Sequence, residues 1–156
     1  MSEYKATIVW ERGDAVFTDN RYSRGHRWKF DGLEIPASSS PSVVPPPLSL
    51  TEAVDPEEAF VASLSSCHML WFLTLAAKRQ FVIESYWDEA IGTLGKNDGG
   101  KIAVTIVTLH PDVRFGGDKL PTTEDILALH HESHEKCFIA QSVKTDVRCE
   151  PVGLPV

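Results

Sequence analysis

The stretch DPEEAFVASLSSCHMLWFLTLAAKR, residues 55–79, decides the fold because it predicts one long helix. Asp55 is a capping residue, Pro56 suits the first turn, and the two glutamates that follow complement the helix dipole. The nineteen residues from Ala59 to Ala77 carry no formal charge, which approaches the length of a membrane span. The run also contains several serines, a cysteine and a histidine, and no second span follows. We therefore expect a buried central helix and no membrane partner.

Composition narrows the class of protein. The chain of 156 residues has an ordinary hydrophobic fraction of 42%, which predicts a single domain over residues 1–156. A net charge of -7 argues against nucleic acid as a partner, although RYSRGHRWKF (21–30) interleaves basic and aromatic residues. Three cysteines do not suggest a secreted disulfide framework, and the first twenty residues do not resemble a signal peptide. We expect a cytoplasmic protein.

The remaining patterns predict an α+β domain with mostly antiparallel pairing. Six of the ten prolines lie between Pro36 and Pro56, which predicts a long surface loop that suits a lid or flap. A helix over 121–137 is expected to begin at Thr122 or Thr123. The predicted strands are YKATIVW (4–10), RYSRGHRWKF (21–30) ending at a turn at Asp31-Gly32, a hairpin of SYWDEAIGTLG (85–95) and KIAVTIVTLHP (101–111), and VKTDVRCEPV (143–152).

The long helix resembles the central helix of the OsmC/Ohr family of peroxiredoxin-like proteins. In that family a Pro-Glu pair is followed, ten residues after the glutamate, by a cysteine, and Pro56-Glu57 and Cys67 match this spacing. CFIAQSVKTDV (137–147) matches the family's second cysteine with Cys137, and Phe138 stands where the family often has proline. RYSRGHRWKFDG also resembles one branch. The resemblance implies an OsmC-like fold, with antiparallel sheets packed around long central helices in an intertwined homodimer.

The resemblance also implies a thiol-dependent peroxidase that reduces organic hydroperoxides. Cys67 would attack the peroxide as a thiolate and become a sulfenic acid, and Cys137 would condense with it to form a disulfide. An unassisted thiol in an apolar helix stays protonated, so a cation must reach Cys67. The sequence contains no dinucleotide or nucleotide motif, so we predict no cofactor and an external dithiol as reductant.

The family's cation is an arginine held by the glutamate of the Pro-Glu pair. Arg24 is our first choice, because it lies in the segment that resembles the family and shares a strand face with His26. Arg27, Arg12 and Arg21 are the other candidates. Ten helical residues separate Glu57 from Cys67 by roughly 15 Å, which a side chain does not bridge. The family pairing therefore predicts a homodimer in which Glu57 of one chain reaches the Cys67 site of the other. Phe60, Leu64, Trp71 and the proline-rich loop are expected to form an apolar substrate pocket.

Two other classes of function remain open. His130, His134 and Cys137 fall at i, i+4 and i+7 of the second helix, an arrangement that suits three zinc ligands. A metal-binding protein is therefore one alternative, and a non-catalytic ligand-binding protein of the same fold is the other. We interpret His68 as a hydrogen-bonded core histidine and Cys149 as a strand residue without a function. The preferred site is Cys67, Cys137, Arg24 and Glu57, with no metal.

Overall fold

A computed structural model describes residues 1–155 of the chain. These residues divide into two compact units, one covering Met1–Ala59 and the other beginning at Phe60. The single domain over 1–156 remains a prediction. Each unit is described separately below.

The first unit contains a three-stranded antiparallel sheet. Its strands β1 (Thr7–Val9), β2 (His26–Phe30) and β3 (Leu33–Ala37) lie in the order β1-β2-β3. The predicted turn joins β2 to β3, where Gly32 adopts a φ of +75° that L-residues disfavour. The predicted strand over 21–30 is too long, since residues 21–25 lie outside β2. Arg24 therefore does not share a strand face with His26, and this part of the prediction is wrong.

The proline-rich segment is hydrogen-bonded to the rest of the first unit, since Arg24 N donates to Leu48 O at 2.7 Å. Its first residues belong to β3, which tolerates Pro36 because it is an edge strand of its sheet. Ser38 N donates to Val54 O at 3.0 Å, and Leu50 N donates to Ser38 Oγ at 3.0 Å. The Ser38 side chain thus ties two parts of the segment together. The segment is therefore a loop held in place by hydrogen bonds, and these contacts give no support to the predicted lid.

The long helix α1 (Pro56–Lys78) confirms the predicted element to within one residue. A reciprocal capping box begins it, because Glu58 N donates to Asp55 Oδ1 at 2.8 Å and Asp55 N donates to Glu58 Oε2 at 3.3 Å. Only 28% of the most apolar 18-residue stretch of α1 is buried, and the Leu70 side chain is 57% exposed. The expected burial of this helix is therefore only partly met within one chain. By length and composition alone α1 would suffice to cross a membrane. Its buried residues are Leu64, His68, Phe72, Leu75 and Ala76.

The second unit combines two sheets with one further helix, α2 (Thr123–Lys136). Strand β4 (Val82–Asp88) pairs antiparallel with β7 (Pro111–Gly116). The hairpin of β5 (Ile91–Lys96) and β6 (Ile102–Leu109) confirms the predicted one in part. The predicted hairpin began at residue 85, but residues 85–88 belong to β4. Strand β8 (Asp146–Cys149) pairs parallel with β6.

Two apolar clusters form the core of the second unit. Phe72 and Leu75 of α1 pack with Ile126 and Leu129 of α2 in one cluster. Leu64 packs with Val107 and Leu109 of β6 in the other. Since α1 contributes to both clusters, it is the element around which this unit is built. The predicted mixed α+β fold with mainly antiparallel sheets is thereby confirmed.

Candidate active site

The structure brings together two cysteines that are seventy residues apart in the sequence. Cys67 lies half-buried in the middle of α1. Cys137 is the C-cap residue of α2, where the backbone turns from helical to extended, and is only 1% exposed. Both are free thiols, and they are close enough for Cys67 to raise the pKa of Cys137. Two neighbouring cysteines are the arrangement that can form a disulfide without a large movement of the backbone.

The environments of the two thiols differ. Burial, followed by the neighbouring Cys67, raises the pKa of Cys137 to about 11. The backbone N–H of Ala140 opposes this by donating to Cys137 Sγ at 3.4 Å. Cys137 is therefore protonated at neutral pH. The more accessible thiol is Cys67, which suits attack on an incoming molecule, whereas the buried Cys137 suits the second step.

An aromatic pair lies next to the cysteines. Trp71 is one helical turn beyond Cys67, and Phe138 directly follows Cys137. Their rings meet edge to face, with centroids 5.7 Å apart, and Phe138 is 69% exposed. Lys136 Nζ lies 5.7 Å from the centre of the Trp71 ring. Phe138 was not predicted as a pocket residue, although its position beside the second cysteine was the signal that could have indicated it.

The other two predicted pocket residues pack elsewhere. Leu64 is 1% exposed and belongs to the core cluster with Val107 and Leu109. Phe60 packs against the same cluster. The prediction that both residues line an apolar pocket is therefore wrong for Leu64, whose side chain is buried in the core.

Three of the four candidate arginines bind partners within the first unit through their side chains. The Arg24 guanidinium donates to Asn20 Oδ1 at 2.9 Å and lies 3.8 Å from the centre of the Tyr22 ring. Arg27 Nε is 2.9 Å from Glu34 Oε1, and Arg12 donates to the carbonyl of Ala15. The planar guanidinium of Arg24 is thus held by a hydrogen bond and by stacking. Which of these arginines stabilises the Cys67 thiolate remains a prediction.

Glu57 has no ion-pair partner among residues 1–155 of the chain. It lies in the first turn of α1, and this helix continues without interruption past Cys67. The unbroken helix keeps the two residues apart along its axis by roughly 15 Å. Glu57 and Cys67 of one chain therefore do not share a site through this helix, and the role of Glu57 remains a prediction.

A second contact between α1 and α2 is formed by a pair of buried histidines, of which His68 directly follows Cys67. His68 Nε2 of α1 is 3.0 Å from His130 Nδ1 of α2, and the two rings stack. Burial lowers the pKa of His68 to about 4, helped by the charge of His134 and opposed by that of Asp88. Burial and the neighbouring His68 lower the pKa of His130 to about 3. Both rings are therefore neutral at neutral pH, and the interpretation of His68 as a hydrogen-bonded core residue is confirmed.

The predicted zinc ligands do not come together. Within the part of the chain that the structure describes, the donors of His130, His134 and Cys137 form no cluster. The group that does come together is His68, His130 and Cys149, whose donor atoms lie within 4.8 Å of one another. The two sets of residues share only His130. Periodicity along a single helix could not indicate a cluster built from two helices and a strand.

Comparison with known proteins gives the relatives of the chain. The profile of the family described as OsmC-like protein matches residues 49–151. An OsmC-like protein of unknown function from Vibrio cholerae is 56% identical over 97% of this chain and 100% of its own, with a TM-score of 0.96. No curated protein sequence matches significantly.

More distant structures have the same fold. An organic hydroperoxide resistance protein OsmC from Legionella pneumophila is 17% identical, with a TM-score of 0.68 over 97% of this chain and 98% of its own. The organic hydroperoxide resistance protein OhrB of Bacillus subtilis is 18% identical, with a TM-score of 0.65 over 96% and 98%. The match of the family profile to most of the chain is decisive, and the chain belongs to the OsmC-like protein family.

Proposed function

We propose that the protein is a cysteine-based peroxidase that reduces organic hydroperoxides. The observation that carries this proposal is the proximity of Cys67 and Cys137, which is close enough for one thiol to shift the pKa of the other. Support comes from the fold, which resembles that of proteins named for organic hydroperoxide resistance. A reducing cytoplasm, which keeps thiols free, is the setting in which we place it.

The proposed reaction has three steps. The Cys67 thiolate attacks one oxygen of the peroxide, the O–O bond breaks, and the alcohol leaves after taking up a proton while Cys67 becomes a sulfenic acid. The Cys137 sulfur then attacks the Cys67 sulfur, and the S–O bond breaks with release of water. An external dithiol returns two electrons and two protons to the disulfide by thiol–disulfide exchange. No other reductant is needed.

The aromatic pair of Trp71 and Phe138 is the feature that favours an organic peroxide. The half-buried Trp71 and the exposed Phe138 lie close to the two cysteines in sequence and offer apolar surface to an alkyl or aryl group. Hydrogen peroxide has no such group and gains nothing from this surface. We therefore expect cumene hydroperoxide to be reduced faster than hydrogen peroxide, by a margin that Trp71→Ala diminishes.

A second copy of the chain is proposed to complete the site. Leu70 is 57% exposed in the middle of α1, and most of the apolar window of this helix is not buried within one chain. Covering that face with an antiparallel α1 from a partner would remove it from water and bring the partner's Glu57 toward Cys67. Arg24 is proposed as the cation that this glutamate holds beside the thiolate.

The test of the proposed function is a thiol count before and after one equivalent of cumene hydroperoxide. Two thiols per chain should disappear, and peptide mapping should find one Cys67–Cys137 disulfide. Cys67→Ser should lose no thiols under the same conditions, because attack cannot begin. A dominant bridge that contains Cys149, or no bridge at all, contradicts the proposal.

Subunit mixing tests the composite site separately. A Cys67→Ser chain and a Glu57→Ala chain, each impaired alone, are exchanged into heterodimers. One intact site should then form where the Cys67 of one chain faces the Glu57 of the other, so about half of the native activity per dimer returns. A fully active monomer in sedimentation excludes the composite site but leaves the thiol chemistry standing.

A further inference from the structure

The cluster of His68, His130 and Cys149 is separate from the proposed peroxidase site. Its members come from three elements of the second unit, namely α1, α2 and the last residue of β8. His68 and His130 are 1% and 3% exposed, and Cys149 is half-buried. The proposed reaction uses none of them. A buried imidazole pair with a thiol beside it therefore needs its own explanation.

The donor atoms have nearly the spacing of metal ligands. In a tetrahedral zinc site, bonds of about 2.0 Å to nitrogen and 2.3 Å to sulfur place two nitrogens about 3.3 Å apart and a nitrogen and a sulfur about 3.5 Å apart. His68 Nε2 is 3.0 Å from His130 Nδ1 and 3.9 Å from Cys149 Sγ, and all three donor atoms lie within 4.8 Å of one another. To match the zinc values, the two nitrogens would have to separate slightly and the sulfur would have to move toward them.

The protonation states also suit a metal. Burial keeps both imidazoles neutral, which is the form that binds metal ions. Burial and the negative charge of Asp88 raise the pKa of Cys149 to about 12, so this residue is a thiol when no metal is bound. A bound cation would displace the thiol proton to solvent and leave a thiolate ligand.

A carboxylate lies close enough to act on two members of the cluster. The charge of Asp88 influences the pKa of both His68 and Cys149. Its oxygens accept hydrogen bonds from the backbone N–H of His110 at 2.7 Å and from Ser65 Oγ. The carboxylate is thus fixed in place, and its negative charge favours a cation at the cluster.

The second nitrogen of His130 gives a further indication. His130 Nε2 is buried without a hydrogen-bond partner among the described residues. A ligating histidine normally donates its other N–H to a carboxylate, a carbonyl or a water. His130 also lines an open pocket together with Pro111, Ile126 and Val152, among others.

We propose that His68 Nε2, His130 Nδ1 and Cys149 Sγ form a binding site for Zn²⁺, with water as the fourth ligand. Two imidazoles and one thiolate make a donor set that zinc prefers over magnesium or calcium. The ion would join α1 and α2, the two helices that carry Cys67 and Cys137, to strand β8. This inference does not depend on the proposed peroxidase activity.

The test uses the full-length, reduced protein after treatment with a chelator. Titration with Zn²⁺ in competition with a chromogenic chelator should give one ion per chain. Cys149→Ser and His130→Gln should each weaken Zn²⁺ binding by about tenfold or more. Cys137→Ser is the matched control, because it removes a thiol of the other pair, and it should bind Zn²⁺ as the native protein does.

Cobalt identifies the sulfur ligand directly. Co²⁺ in place of Zn²⁺ should produce a near-ultraviolet thiolate-to-metal charge-transfer band that is absent in Cys149→Ser and present in Cys67→Ser. Circular dichroism checks that each variant is folded, and the nearly isosteric Cys149→Ser decides the matter if His130→Gln does not fold. The absence of Zn²⁺ binding overturns the proposal. Binding that Cys149→Ser leaves unchanged, or that Cys137→Ser abolishes, overturns it as well.

Discussion

Raising the pH should speed the closing of the Cys67–Cys137 disulfide. Burial and the neighbouring Cys67 raise the pKa of Cys137 to about 11. At pH 7 about one Cys137 in ten thousand is then a thiolate, and at pH 9 about one in a hundred. Because the thiolate is the nucleophile, the rate of disulfide formation should rise about tenfold per pH unit over this range. An unperturbed thiol would show this rise only below its ordinary pKa of about 8.5.

A double-mixing experiment measures this step alone. One equivalent of cumene hydroperoxide first converts Cys67 to its sulfenic acid, and a dimedone-type reagent added after a variable delay traps what has not yet closed. Intact mass then gives the trapped fraction at each pH. In Cys137→Ser the sulfenic acid should persist at every pH, which provides the control for the trapping reaction itself. A closing rate that changes less than threefold between pH 7 and pH 9 would refute the reasoning from the buried thiol.

Three further outcomes follow from the structure. Cys67→Ser should abolish peroxide turnover completely, as measured by consumption of cumene hydroperoxide in the presence of a dithiol. Arg24→Met should slow the oxidation of Cys67 at neutral pH in stopped-flow, whereas Arg27→Met should not, and the reverse result would show that the wrong arginine was chosen. Phe72→Ala should lower the free energy of unfolding by about 3–5 kcal/mol in urea, because this fully buried ring packs on three other rings. Leu120→Ala, in an exposed loop, should change it by less than about 0.5 kcal/mol.

Local signals in the sequence were sufficient for the helices. Asp55 and Glu58 form the cap that begins α1, and Thr122 and Asp125 form an equivalent capping box before α2. These contacts connect residues three apart, so composition over a few positions determines them. The β5–β6 hairpin is equally local, since only a short turn separates its strands.

Pairing between distant strands was not predictable in the same way. Strand β7 begins directly after the hairpin and pairs with β4, and β8 joins β6 in parallel across α2. The residues of β4 alternate like those of the hairpin. The alternation alone therefore could not separate β4 from the hairpin strand that follows it. A period of two identifies a strand but not its partner, which depends on the packing of α1 and the sheets together.

The site was predictable to the extent that it depends on spacing along one element. The distance of Cys67 from Glu57 along α1 follows from helix geometry, whereas the contact of Cys67 with Cys137 was implied only by resemblance. The histidine cluster was missed because its three members lie on three different elements. Sequence patterns along the second helix favoured His134, which the fold leaves outside the cluster.

The two contacts between α1 and α2 fix the geometry that the proposed chemistry needs. His130 and Cys137 are seven residues apart along α2, which places them on one face, roughly 10 Å apart. The neighbouring residues Cys67 and His68 of α1 meet them, so the helices touch at both a sulfur pair and an imidazole pair. Two separate contacts restrict the angle and position at which α1 and α2 cross more than a single contact would. Cys137 is also the C-cap residue, where the backbone is already extended. In the proposed reaction, we expect the histidine contact to hold α1 and α2 together while the segment beyond α2 adjusts to the disulfide.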